Sequence, residues 1–199
     1  MSTRFKVLLL ILVVVLGAGL FYLQRLSKRL AVQPAPRSEE AAGARLKEAS
    51  LQSSKGTAET ATLYFPSLTE GALVPETRSI TWAETDVNRI RQVVLALVEG
   101  SHQGLGRALP ASTSVRAVFL TPDGTAYIDL SNAFLSELTP GIEAETLTIY
   151  SLVNSITQNI PSVKKVQFLI QGQEVDTLDG HADLTAAYVP DPTHIKSGP

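Results

Sequence analysis

The sequence contains no cysteine among its 199 residues. Without thiols, the chain has no disulfide framework, no thiolate nucleophile and no zinc–sulfur site. It also offers no cysteine to which a lipid anchor could be attached. Function classes that depend on cysteine chemistry are therefore excluded.

Positive charge is scarce in the C-terminal part of the chain, where a globular domain is expected. Residues 61–199 carry eight Lys and Arg against fifteen Asp and Glu, whereas residues 1–60 carry nine against four. Nucleic-acid-binding domains need a basic stripe, and anionic lipids attract basic surfaces. The acidic domain therefore argues against both as partners.

Residues 7–23 form an uncharged run rich in Leu and Val, preceded by Arg4 and Lys6. About 17 residues is the lower limit for a membrane-spanning helix and exceeds a usual signal-peptide core. No small-x-small cleavage site directly follows the run, so we expect residues 1–23 to be an uncleaved signal anchor. A cleaved signal peptide and a buried helix of a soluble protein are the alternatives.

The orientation of this segment is not decided by its flanking charges. Arg25, Lys28 and Arg29 follow it, while two basic residues and the N-terminal amine precede it. The positive-inside rule thus slightly favours a cytoplasmic C-terminal part. A family resemblance, described below, favours the outside.

The remainder divides by composition into a linker, a domain and a tail. Residues 24–60 lack a sustained period and contain proline, serine and glycine clusters, which predicts a flexible linker. One domain is predicted over residues 61–185. Residues 186–199 are polar and contain Pro190 and Pro192, so we predict a flexible C-terminal tail.

The strongest periodic signal in the domain is a helix followed by a strand, within residues 141–172. Apolar residues at helical spacing from Ile142 to Ile156 predict the helix, with Thr139 as a cap and Pro161 as the stop. In the strand, residues 163–170, alternation directs Phe168 to the core and Gln167 to solvent. We therefore expect a sheet buried on one side only.

The other elements complete a β-α-β-β-α-β order. We predict a strand over residues 61–65, an edge strand over 78–82, a helix from Thr85 or Asp86 to Gly100, hairpin strands over 115–120 and 125–130, and a tail strand over 174–178. The fold class is α+β. It consists of a single domain with a mixed or antiparallel sheet and two helices packed on one face.

Two clusters have the composition of a reactive site. Glu99, Ser101 and His102 have the residue types of a catalytic triad, but a triad is assembled from distant segments, so we favour a polar turn. Asp176, Asp179, His181 and Asp183 could hold a divalent ion. Their spacing fits no EF-hand, and we favour a solvated turn.

Other polar residues are assigned to the fold. Gly104-Leu105-Gly106 follows a helix and precedes a strand, the reverse of a dinucleotide-binding loop. Asp129-Leu130-Ser131 ends a strand, where such side chains usually bind backbone N–H groups in the next turn. Glu145 and Asn154 lie at the margin of the second helix, where a buried amide must find partners. No catalytic, cofactor-binding or metal site is predicted.

A series of short motifs runs through residues 61–172. In chain order they are Leu63-Tyr64-Phe65, Leu73-Val74-Pro75-Glu76-Thr77-Arg78, Glu99-Gly100, Leu109-Pro110, Asp129-Leu130-Ser131, Leu152-Val153-Asn154-Ser155-Ile156 and Val166-Gln167-Phe168-Leu169-Ile170-Gln171-Gly172. Together they resemble the GerMN domain, the sporulation and spore-germination domain of bacteria. The chain departs from that pattern at Ser101, where proline is usual, and at Ser155, where threonine is usual.

The resemblance implies a small α/β domain exported across the bacterial cytoplasmic membrane and anchored there. It also implies a protein-binding or self-assembling role without established enzymatic activity. We therefore expect a non-catalytic, single-pass membrane module whose partner is an envelope protein or a second copy, with no cofactor and no nucleic acid. The alternative is an enzyme or accessory factor acting on the cell wall, for which Asp176 and Asp179 would have to face a cleft.

Overall fold

The computed structural model describes residues 58–178 and 180–196, which form an α+β fold. The strands are β1 (Ala58–Pro66), β2 (Leu73–Thr81), β3 (Val115–Leu120), β4 (Thr125–Leu130) and β5 (Lys165–Ile170). The helices are α1 (Asp86–Glu99), α2 (Ala133–Ser136) and α3 (Ile142–Asn159), and a 3-10 turn covers Pro192–His194.

The described strands form two sheets, so the prediction of one sheet is wrong. β1 and β2 are antiparallel, and in the second sheet β4 pairs antiparallel with β3 and parallel with β5. β2 also starts at Leu73, earlier than the predicted edge strand over residues 78–82. Pro75 weakens the strand signal, and proline is tolerated there because β2 has a neighbouring strand on one side only.

The hairpin of β3 and β4 is confirmed at the predicted residues. Asp123-Gly124 forms its turn, and the Gly124 N–H donates to the Thr121 carbonyl over 3.0 Å. Gly124 has a φ of 86°, and a Cβ there would lie 2.8 Å from the Ser162 carbonyl oxygen. Both the left-handed backbone and the close approach require glycine.

Both long helices are confirmed, although one predicted cap is wrong. The Thr85 hydroxyl accepts from the Asn88 N–H at the start of α1, and Gly100 ends that helix with a φ of 99°. α3 begins after Gly141 without a side-chain cap, so Thr139 does not have the predicted role. A left-handed glycine sets the chain direction there instead.

α3 lies along the edge of β1, and three of its side chains form hydrogen bonds with the backbone of that strand. Ser151 donates to the Tyr64 carbonyl over 2.6 Å, and Ser155 accepts from the Tyr64 N–H over 2.9 Å. Asn159 bonds both the N–H and the carbonyl of Thr62. The three residues are spaced by four, so they share one helix face. Sheet pairing is thereby replaced along this edge, which prevents strand addition.

Phe168 is fully buried, as predicted. Its ring centroid lies 6.2 Å from that of Phe134 and 6.2 Å from that of Tyr188. Val153 belongs to the same core. Leu147, on the same helix, packs in a smaller cluster with Tyr64 and Leu73.

The segment after β5, residues 173–178 and 180–196, is here called the strap. It is docked on the domain, so the prediction of a flexible tail is wrong for residues 186–196. Tyr188 forms two 2.8 Å backbone bonds with Val166, and Asn154 exchanges two 3.0 Å bonds with the backbone of Asp191. In place of the predicted tail strand, the strap contains isolated bridges.

The strap also covers the second face of β5, so the prediction of a wet face is wrong. Gln167 is only 6 % exposed, and its Nε2 donates to the Leu184 carbonyl over 2.6 Å. Alternation therefore placed Gln167 on the correct face but could not show what covers that face.

Among the described residues, no helix is long and apolar enough to cross a membrane. The predicted signal anchor, residues 1–23, lies outside the described part of the chain. The same holds for the predicted linker up to residue 57.

Candidate functional site

Ser101 and His102 do not form a catalytic pair. The Ser101 hydroxyl donates to Glu76 over 2.6 Å, while His102 Nε2 lies 3.3 Å from the exposed Glu99 carboxylate. The backbone N–H groups of His102 and Gln103 also point to Glu76. The side chains of Ser101 and His102 thus contact different carboxylates. The contact of Ser101 with Glu76 holds the loop after α1 in place.

Glu76 is the centre of this network and is only 1 % exposed. Its second partner is Arg78, whose guanidinium lies 2.7 Å from the carboxylate and 5.3 Å from the Phe65 ring centroid. Burial would raise the pKa of Glu76, but hydrogen bonds from Ser101, Arg78 and the His102 N–H outweigh it and hold the pKa below its usual value. Glu76 is therefore a charged structural group.

His181 and Asp183, from the predicted acidic cluster near the C-terminus, form hydrogen bonds within the domain. His181 Nδ1 lies 2.7 Å from Glu145 Oε1, and Glu145 is fully buried rather than marginal as predicted. The Asp183 carboxylate accepts from the hydroxyl and the N–H of Thr185, which lower its pKa. Asp179 lies outside the described residues. Among the residues that are described, no three acidic or histidine side chains are grouped as metal ligands.

The strand-end residues bind backbone N–H groups as predicted, but these groups belong to distant segments and not to the next turn. Asp129 accepts from the Gly172 N–H over 2.7 Å and from Arg116 over 3.2 Å. The Ser131 hydroxyl accepts from the Ser114 N–H over 3.0 Å. These contacts join β4 to the loops on either side of it.

A groove of about 540 Å³ opens beside the first turns of α3, and we call it the α3 groove. Three segments line it: residues 66–68 at the end of β1, Gly106 and Arg107, and residues 138–144, 147 and 148 around the start of α3. Leu68 is 75 % exposed and Ile142 is 66 % exposed, and both line the groove. The other strongly exposed apolar side chains of the described part, Phe119 and Val189, lie outside it. Large exposed apolar groups that converge on one concavity are typical of a binding site.

Backbone contacts hold the walls of the groove in place. The Gly106 N–H donates to the Pro66 carbonyl over 2.7 Å, and a Cβ on Gly106 would lie 2.9 Å from that oxygen. Of the Gly104-Leu105-Gly106 motif, Gly106 therefore lines the groove and permits close approach to β1. The Glu76 network fixes the preceding residues of the same loop.

The sequence did not predict this groove. Leu68 falls in a loop without periodicity, and Ile142 fits the apolar stripe of α3 although its side chain is exposed. No periodic signal in the sequence distinguishes Ile142 from the buried positions of the stripe. The convergence of the two residues depends on the path of the β1–β2 turn.

The family model of Germane, described as sporulation and spore germination, matches residues 62–176. The chain belongs to the Germane family. The resemblance to the GerMN domain is thereby confirmed, and the α3 groove lies within the matched residues. Most of the strap, from Thr177 onward, lies beyond them. No curated protein matches the sequence.

Solved structures that are similar to this chain include GerMN domains. The first GerMN domain of the sporulation protein GerM from Bacillus subtilis is 25 % identical with a TM-score of 0.55, covering 66 % of this chain and 97 % of that one. The tandem GerMN domains of the same protein are 26 % identical with a TM-score of 0.54, covering 65 % of this chain and 45 % of that one. A candidate lipoprotein from Clostridium perfringens is 27 % identical with a TM-score of 0.49, covering 66 % of this chain and 87 % of that one.

Proposed function

We propose that this Germane-family chain is a non-catalytic binding module that holds a protein of the cell envelope in the α3 groove. The observation that carries the proposal is the convergence of Leu68 and Ile142 on one groove while the buried carboxylates are engaged elsewhere. Membership of a family described as sporulation and spore germination supports a role in those processes.

The use of the polar side chains supports a non-catalytic role. Catalysis needs an acid, base or nucleophile that can reach a substrate. Glu76 binds Ser101 and Arg78, and Glu145 accepts from His181 and the Ala182 N–H. These carboxylates stabilise loops and lie outside the lining of the α3 groove.

The binding role is tested by capturing envelope proteins from cross-linked native membranes with the full chain. Leu68→Ser together with Ile142→Ser should abolish capture of the partner, because both side chains line the groove. Val189→Ser removes an equally exposed side chain, 60 % accessible, from outside the groove and should leave capture unchanged. If the double variant captures the same proteins as the natural chain, the groove is not the binding site.

We also propose that the domain is held outside the cytoplasmic membrane by the apolar segment at residues 7–23. A single apolar run of this length followed by a polar stretch supports a retained anchor. Protease added to intact spheroplasts should degrade the domain while a cytoplasmic marker survives. Full protection of the domain would place it on the cytoplasmic side, as the flanking charges slightly favour.

A further inference from the structure

The turn between β3 and β4 contains an Asp-Gly pair, Asp123-Gly124, and such pairs are chemically unstable in flexible peptides. The backbone nitrogen of Gly124 can attack Cγ of Asp123, because glycine has no side chain to hinder the approach. An N–Cγ bond forms, the carboxyl hydroxyl and the amide proton leave as water, and a five-membered succinimide results. Water then opens this ring at either carbonyl and yields aspartate or isoaspartate. The net change is an isomerisation that consumes no other reagent.

Neither of the two simplest means of preventing this reaction is open to the turn. A side chain at position 124 would slow the attack, but the left-handed backbone of Gly124 and a Cβ position 2.8 Å from the Ser162 carbonyl oxygen require glycine. Burial does not prevent it either, since the Asp123 side chain is 60 % exposed. Any protection of the pair therefore has to come from specific contacts.

The Asp123 carboxylate accepts hydrogen bonds at both of its oxygens. Oδ1 accepts from the Thr121 hydroxyl over 2.5 Å, and Oδ2 accepts from the Thr125 hydroxyl over 2.7 Å. Lys165 Nζ lies 3.3 Å from Oδ2. Hydrogen bonds from Thr121, Thr125 and Lys165 lower the pKa of Asp123 below its ordinary value. Ring closure expels water and so requires the neutral carboxyl group, which these contacts disfavour.

The attacking residue is also held, on both sides of its Cα. The Gly124 N–H donates to the Thr121 carbonyl over 3.0 Å, and the Gly124 carbonyl accepts from the N–H groups of Lys164 and Lys165 over 2.8 and 3.3 Å. To reach Cγ of Asp123, the nitrogen would have to lose its proton and turn away from the Thr121 carbonyl. The attack thus breaks the turn and its attachment to β5.

We propose that Thr121 and Thr125, with Lys165, protect Asp123-Gly124 from succinimide formation, and that Asp123 becomes a modification site only when this turn opens. Isomerisation would insert an extra methylene into the backbone of the turn. The contacts of Gly124 with Thr121 and with Lys164 could not all be kept, so the hairpin and the start of β5 would lose their register. The protection therefore preserves the second sheet.

The test measures isomerisation in the full chain, kept in detergent at neutral pH in water enriched in heavy oxygen. Opening of the succinimide incorporates the label, and fragmentation in a mass spectrometer after return to ordinary water locates it and identifies isoaspartate. Trypsin separates this turn from the other Asp-Gly pair, residues 179–180, so the two are read separately. A free peptide with the sequence of residues 119–127 gives the unprotected rate. Over the time in which the peptide is half converted, the natural chain should remain unlabelled at Asp123.

The decisive variant combines Thr121→Val with Thr125→Val, which removes both hydroxyls and keeps the size of the side chains. Its conversion at Asp123 should be at least about fivefold faster than that of the natural chain, as expected when a hydrogen bond of ordinary strength no longer opposes a reaction. Thr121→Ser retains the hydroxyl and should keep the natural rate. Thermal melting before incubation shows whether each variant is folded. If the double variant is unfolded, Thr125→Val alone should still be faster than the natural chain.

A matched control is available on α3. The Thr146 hydroxyl donates to the Ile142 carbonyl over 2.7 Å, so Thr146→Val removes a comparable hydroxyl and should leave the rate at Asp123 unchanged. Three results would overturn the proposal. They are a natural chain that converts as fast as the free peptide, folded threonine variants of the turn that convert no faster than the natural chain, and an equal acceleration by Thr146→Val.

Discussion

Glu76→Gln is expected to destabilise the domain by about 3–5 kcal/mol at pH 7, measured by urea unfolding. The substitution preserves the shape of the side chain but removes the charge that compensates the nearly buried Arg78. It also weakens the bonds from Ser101 and from the loop after α1. A natural domain is stable by about 5–15 kcal/mol, so the variant should be marginally folded.

The effect of Glu76→Gln should depend on pH. Because the pKa of Glu76 is lower in the folded chain than in the unfolded one, its charge stabilises the fold above the usual glutamate pKa of about 4.3. This contribution is lost as the pH falls through the lowered pKa. The difference in unfolding free energy between the natural chain and the variant should therefore shrink as the pH falls below about 4.

A matched control is available on the same arginine. Glu99 Oε2 lies 3.5 Å from Arg78 Nη1 but is 62 % exposed, so Glu99→Gln should lower the free energy of unfolding by less than about 1 kcal/mol. Equal losses of unfolding free energy for the two variants would contradict the assignment of Glu76 as the charged centre of the network. A loss for Glu76→Gln that does not change with pH would contradict it as well.

Phe168→Ala should lower the free energy of unfolding by about 3–5 kcal/mol, because a fully buried ring is lost and a cavity remains. The ring contacts Phe134 and Tyr188, so the cavity would separate the second sheet from both α2 and the strap. Urea unfolding measures this loss. Phe119→Ala is the control, since that ring is 59 % exposed and its removal should change stability by no more than about 0.5 kcal/mol.

The neighbouring Gln167→Ala reports on the strap. From alternation alone the loss of unfolding free energy would be small. In the structure, however, the Gln167 amide is buried, and its removal leaves the Leu184 carbonyl without a hydrogen-bond donor. We expect a loss of about 1–3 kcal/mol. A loss near zero would mean that the strap does not cover this face in solution.

The sequence predicted correctly those elements whose conformation is determined by neighbouring residues. The hairpin follows from Asp123-Gly124, and the ends of α1 follow from Thr85 and Gly100. The burial of Phe168 follows from alternation in β5. In each case neighbouring residues determine the conformation, so the sequence was sufficient.

The strap and the groove could not be predicted in this way. The strap, residues 173–178 and 180–196, lacks periodicity in its sequence and is held by distant partners: Glu145 for His181, Asn154 for Asp191 and Gln167 for Leu184. From the sequence, buried polar groups can be expected to have partners, but the partners cannot be identified. The α3 groove likewise depends on how three separate segments meet.

The most direct test of the binding function is photo-cross-linking in living cells. A photoreactive amino acid is placed at Leu68, at Ile142 or at Val189 of the full chain, and adducts are identified after irradiation. We expect the same discrete protein adduct from the two groove positions and none from Val189. Adducts from Val189 alone, or none from either groove position, would contradict the claim that this domain binds its partner through the α3 groove.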